Sequence, residues 1–289
     1  ATLSSAELNS FTTDEIAVLN ARALAGLATD TLAGLDTDKV AVLTNAQIGQ
    51  LNSTQLGALT STQVGALTTD QISALTATQV RGLTTNVIAS LTTLQVETLS
   101  TTQLSNLSSA QFSALNTDNV AALTTAQVGA LTSAQISTLD SAELNSFSTD
   151  EIAGLNARAL AGLATDTLAG LDTSKVAVLT SAQIGQLTSA QLGALTSDQV
   201  GALTTAQISV LTANQLKGLT TDAIGGLTTD QVQTLSNTQL ANLSTAQLNA
   251  FSTENTAALT SNQVGALTSA QVATLSSAEL NSFTTDEIA

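Results

Sequence analysis

Leu or Phe recurs at every eighth residue from Leu3 to Phe283, at all 36 positions, with no insertion or deletion in the register. A second series, from Leu8 to Ile288, is aliphatic or Phe at 35 of 36 positions, Thr256 being the exception. An octad with two apolar positions has nothing to bury them against except another octad, so the chain must fold by stacking copies of itself. One unbroken α-helix is excluded. Eight residues advance about 800°, so the Leu stripe drifts by roughly 80° per octad and never forms a face.

A longer period overlies the octads. LSSAELNSFTTDEIAVLNARALAGLATDTLAGLD from Leu3 returns as LDSAELNSFSTDEIAGLNARALAGLATDTLAGLD from Leu139, and opens again at Leu275, an offset of 136 residues or 17 octads. Roughly three quarters of the aligned positions are identical. The chain reads as one continuous array of 36 octads over residues 1–289, with copies at 3–138 and 139–274 and the start of a third at 275–289. It starts and stops inside an octad, as a window cut from a longer array would.

Each octad encodes a short helix. In Leu67-Thr68-Thr69-Asp70-Gln71-Ile72-Ser73-Ala74, Thr68 is an N-cap type and Gln71, three residues on, completes a capping box. Leu67 before the cap and Ile72 four after it have the spacing of a hydrophobic staple. The cap is Ser, Thr, Asn or Asp in 34 of 36 octads, failing at Ala28 and Ala164, and the box residue is Glu or Gln in 26 of 36. Charge agrees with this reading. Of 22 acidic residues, 21 lie at the cap, second or third helical position, with Glu97 the exception, where a helix dipole favours them. Arg81 and Lys217 lie in the last turn, where cations belong. All 17 Gly fall in the last two positions before the register Leu, where they would ease the helix ending and let neighbours approach.

The fold expected is therefore all-α: a solenoid, or superhelix, of very short capped helices, one per octad. Each is about one and a half turns long, too short to persist alone. The alternative is a β-solenoid of two or three octads per coil, which Thr, Val and Ile would suit. Against it, residues five apart fall on opposite faces of a strand, and the Ala, Gln and Asp of the repeat disfavour strands.

Composition bounds the chemistry. There is no Cys, His, Met, Trp, Tyr or Pro, and the net charge is −16. Six Lys and Arg cannot neutralise a phosphate backbone, and anionic membrane surfaces would repel the chain. Apolar runs such as Ala23 to Ala28 are too short to span a bilayer, so no membrane insertion is expected. ATLSSAELNSF at the start has neither the basic nor the apolar region of a signal peptide.

No catalytic residue and no cofactor site is expected. Ser and Thr are explained as caps, and Lys39, Lys175 and Lys217 read as solvated. No phosphate-binding Gly motif is present. Calcium is the one metal to weigh, through Asp14, Glu15, Asp150, Glu151, Asp286 and Glu287, which recur with the long period. The same carboxylates are accounted for as first-turn charges. A regular Thr lattice could order ice, but the threonines are needed as caps. Arg22 and Arg158 stand against the dipole and are expected to pair with acids such as Asp14 and Asp30. Thr256 reads as tolerated drift.

The L-[ST]-x-x-[QE]-[VIL]-x-x run, as in LTTAQVGALTSAQI at Leu123 to Ile136, resembles octad arrays in very large secreted and surface proteins of bacteria, often adhesin-like. The resemblance implies an extracellular or cell-surface location and a fibre, filament or stalk role, and transfers no binding residue. Terminal octads carry the same apolar pair as internal ones, so either more chain continues or copies self-associate, head to tail or laterally. The rival function is a binding solenoid recognising a glycan or protein partner, whose surface should carry aromatic or Arg anchors. Aromatics here amount to five Phe.

Overall fold

A computed structural model of the chain describes residues 3–283. The described residues form 34 short α-helices and one 3-10 helix, with no strand, so the all-α expectation holds and the β-solenoid does not. Helices are four to six residues long, one per octad.

The local cause is the cap. Thr68 is extended at φ −72°, ψ 161°, and its side chain accepts from the backbone N–H of Gln71, while the Gln71 side chain accepts from the Thr68 backbone N–H. This reciprocal box recurs along the chain and supplies partners for donors that a helix start leaves over. Helices end without a left-handed residue: no residue, Gly included, has positive φ among those described. The register Leu does that work instead. The N–H of Leu51 closes a last tight turn on the Ile48 carbonyl at 3.1 Å, and its extended backbone, φ −67° and ψ 133°, leads into the next cap. Two extended residues in succession thus form the elbow between octads.

Asp36 and Asp172 have the residue type of a cap, yet neither side chain caps. The N–H groups they would serve, on Lys39 and Lys175, bond to the Asp36 and Asp172 carbonyls at 2.9 Å instead. The octad that follows Leu155 also departs from expectation. Its Asn156 side chain accepts from Arg158, one residue early, and Ala159–Gly162 winds as a 3-10 helix.

Residues 1–138 and 139–289 form two compact units, and the division falls where the second copy of the long period begins. Within each unit, a helix packs against the helix three octads on. In the first unit Ser5–Asn9 meets Thr29–Ala33, and Ala21–Leu24 meets Asn45–Gln50. In the second Ser189–Gly193 meets Ala213–Gly218, and Ser197–Gly201 meets Thr221–Gly225. One coil is therefore three octads, or 24 residues. Seventeen octads make five coils and two octads over, so the long period is not a whole number of coils.

Both apolar series point inward. Val64, Leu104, Val128, Leu192 and Val232 are fully buried, and the register leucines between them nearly so. Truncating such a side chain to Ala costs about 2–5 kcal/mol. Glycines set how closely coils approach. A Cβ on Gly226 would lie 2.3 Å from the Ser197 carbonyl oxygen, and one on Gly201 would lie 2.8 Å from the Gly226 carbonyl oxygen. Close approach is thus the role of these two glycines, and none of the described glycines ends its helix through a positive φ.

Candidate functional site: the buried glutamine ladder

The polar group that recurs inside the fold is the glutamine of the capping box. It points inward from the third helical residue: Gln47, Gln63, Gln135, Gln183 and Gln199 are all at most 2% exposed. An amide buried there must be satisfied on both sides. Gln47 does this with four bonds, one of them from the Thr44 hydroxyl to its Oε1 at 3.1 Å. Its Oε1 accepts from the Thr44 N–H at 2.7 Å, and its Nε2 donates to the carbonyls of Leu19 and Ile16, both at 2.9 Å. Those acceptors lie 28 and 31 residues back, one coil away. Gln127 repeats the pattern toward Leu99 at 2.7 Å and Val96 at 2.9 Å, and Gln183 toward Leu155 at 2.8 Å and Ile152 at 2.9 Å. Each acceptor belongs to an elbow or the helix end just before it. One side chain therefore starts its own helix and fastens the previous coil.

Substitutions at this register separate the two tasks. Asn119 and Asn255, one methylene shorter, donate to Leu91 at 3.0 Å and Leu227 at 2.7 Å, 28 residues back, but do not reach round to their own caps. Glu15 and Glu151 keep the cap bond, at 2.8 Å to the Thr12 N–H and 2.7 Å to the Ser148 N–H, and as carboxylates have no proton to donate. Thr167 donates to Leu139 at 3.2 Å. Lys217 is exposed as expected, but the other two lysines overturn the expectation of solvation. Lys175 is half-buried with its ammonium on the Phe147 carbonyl, and Lys39 is buried with Nζ 3.4 Å from Asp38. A cation can hold this position because the elbow presents carbonyl oxygens to it.

The sequence reading took the box glutamine as a local cap and missed its second task. The available signal was the excess of Gln over Glu, 20 against 6, at a position where either completes a capping box. Only Gln has both a donor and an acceptor.

The remaining candidates are scattered. Asp14, Glu15 and Asp150 are exposed, Glu151 half-exposed, and among the described residues no three carboxylates gather closely enough to hold a metal. Asp286 and Glu287 lie outside the described residues. Ser4 and Thr12 hold the carboxyls of Glu7 and Glu15 below the usual range, first through their backbone N–H and then through their hydroxyls. Arg22 and Arg158 are exposed and make no ion pair among the described residues, which corrects the expected pairing with Asp14 and Asp30. In water such a pair gains about 0–1 kcal/mol, too little to hold the side chain. Thr256 is fully buried and donates to the Ser252 carbonyl at 3.2 Å, with the Glu279 carboxylate 3.5 Å away, so it is placed polarity rather than drift.

Two hollows show the range. An open groove of about 740 Å³ is lined by Asp198, Asp222, Ser197, Gly201, Gly225 and Gly226. A void of about 10 Å³ lies among Leu144, Ile152, Leu160, Leu168 and Leu179, room for at most one water and wholly apolar. No buried side-chain nitrogen or oxygen among the described residues is left without a hydrogen bond. No helix among them is long and apolar enough to cross a membrane.

A search of curated proteins found no match. The family model of the ALTTAQ repeat matches residues 40–77, 88–125, 107–141, 168–205, 186–213, 205–237 and 235–269, together well over half of the chain. The string itself stands at Ala122–Gln127 and Ala202–Gln207, where it holds the buried Leu, the capping Thr and the ladder glutamine. The chain is a tandem-repeat protein of the ALTTAQ repeat family.

Proposed function

We propose that this protein is a non-catalytic structural array, working outside the cell or on its surface as a fibre, filament or stalk, and associating with further copies of itself. The observation that carries this reading is how the repeat uses its polar groups. Cap hydroxyls accept from helix starts, and ladder amides and, at the same register, Lys175 bond the previous coil. What is left facing water is mostly carboxylates, Thr, Ser and small residues, with single apolar side chains such as Val18 and Leu94 between them, a surface suited to solubility and spacing. The resemblance of the octads to those of large secreted and surface proteins supports the location. Negative-stain microscopy of the native protein tests it. Elongated or fibrous particles are expected, and isolated compact ones would reject the fibre reading.

A further inference from the structure

We infer that each copy of the long period opens with its own capping coil, which makes the copy, and neither the octad nor the whole array, the unit that unfolds together. The ladder has a direction: every glutamine donates backward, to carbonyls 28 to 31 residues earlier. A coil without such donors fastens nothing that precedes it. The first three octads of the first copy carry Glu7, Glu15 and Ala23 at the ladder position, and those of the second carry Glu143, Glu151 and Ala159. That is one coil each, with two carboxylates and a methyl where the ladder has amides.

Within each unit this opening coil is tied forward instead. The Asn9 amide donates to the Gly34 carbonyl at 3.0 Å and accepts from the Asp36 N–H at 2.9 Å. Asn145 does the same with Gly170 and Asp172, again at 3.0 and 2.9 Å. Thr167 and Lys175 reach back onto this coil, at Leu139 and Phe147. The opening coil is thus fastened to its successor by three side chains in the second unit, and its own ladder positions hold no amide donor. The division of the chain into compact units at Thr138 and Leu139 falls at the start of this coil.

Where the third copy opens, Ser277–Ser282 still packs on Thr253–Ala257, and the hydroxyl there comes from the earlier coil: Thr256 faces the Glu279 carboxylate at 3.5 Å. Coils can therefore stack at a copy boundary without glutamine. What changes is the bonding that makes neighbouring coils unfold together.

The test is hydrogen exchange read by mass spectrometry on the full chain across a denaturant series. Residues 1–138 and 139–274 are expected to lose protection as two blocks, each at its own denaturant concentration. Gln207→Glu with Gln215→Glu, next to the native Ala223, rebuilds the Glu–Glu–Ala order inside the second unit. At neutral pH this variant should release residues 139–202 and 203–274 separately, and below the carboxyl range, where a neutral acid can donate, it should return to one block. Gln207→Asn with Gln215→Asn keeps the backward donor and should stay as one block. Loss of protection across all octads in a single step, or gradual loss with no boundary at Leu139, would overturn the inference. So would a Glu variant that unfolds undivided at neutral pH. Should that variant fail to fold by circular dichroism, the wild-type boundary decides.

Discussion

Gly82 lies against Ser53 from the coil before it so closely that a Cβ on Gly82 would stand 2.3 Å from the Ser53 Cβ and 2.8 Å from its Cα. The second copy repeats this with Gly218 and Ser189, at 2.8 and 3.0 Å. Both contacts involve backbone or Cβ atoms, which no rotamer change can move aside.

Gly82→Ala and Gly218→Ala should therefore destabilise the fold by about 1–3 kcal/mol through overpacking. Gly49 and Gly185 meet nothing within 4 Å, so Gly49→Ala or Gly185→Ala should stabilise by about 0.5–1 kcal/mol through the unfolded chain and helix propensity. Urea unfolding followed by circular dichroism separates the two classes. Equal effects at all four sites would remove the close-approach argument.

The ladder can be dissected at Gln127, whose amide meets Thr124, Val96 and Leu99. Gln127→Asn keeps a backward donor and should cost about 1 kcal/mol, one hydrogen bond. Gln127→Glu buries a carboxylate among carbonyl oxygens and should cost upwards of about 3 kcal/mol at neutral pH. The Glu penalty should shrink on acidification while the Asn penalty stays constant.

Caps contribute octad by octad. Thr68→Ala removes the acceptor for the Gln71 N–H and should cost about 1 kcal/mol. Ala28→Gly, where there is no side-chain cap bond to lose, should instead stabilise by about 0.5–1 kcal/mol, because Gly is the better residue at a helix start. Thermal melts of the two single variants read this contrast directly.

Carboxyl titrations should run in opposite directions at the openings of the two copies. Glu7 and Glu15 are held below the ordinary range by the Ser4 and Thr12 N–H groups, so their capping contribution is complete above that range and is lost as pH falls through the lowered value. Burial pushes Glu143 up, partly opposed by the Asp140 N–H and reinforced by the Asp140 charge. Its folded state favours the neutral acid, so its contribution is greatest below the ordinary range and fades as pH rises through the raised value. Carbon-detected NMR titration of the three side chains should show the two signs, and Glu143→Gln should raise stability at neutral pH.

Most of what an octad does on its own could be read directly. The period, the cap at Thr68, the inward Leu67 and Ile72 and the placement of Asp70 all act within eight residues, where spacing along the chain equals spacing in the helix. The burial of Lys175 was not legible for the complementary reason: its acceptor, the Phe147 carbonyl, is a coil away. Asp36 failed as a cap because its turn closed on its own carbonyl, a choice of backbone geometry that residue type does not encode.

Sequence alone determined that this chain is a stack of short capped helices with two buried apolar positions per octad, because caps and staples are local and each octad repeats them. Tertiary structure decided that three octads close a coil, that Gln71 fastens Leu43 at the same time as it caps its own helix, and that Gly82 must be bare to admit Ser53. Those relations join residues 24 to 31 positions apart, and the local role of each residue is the same whichever distant partner it meets.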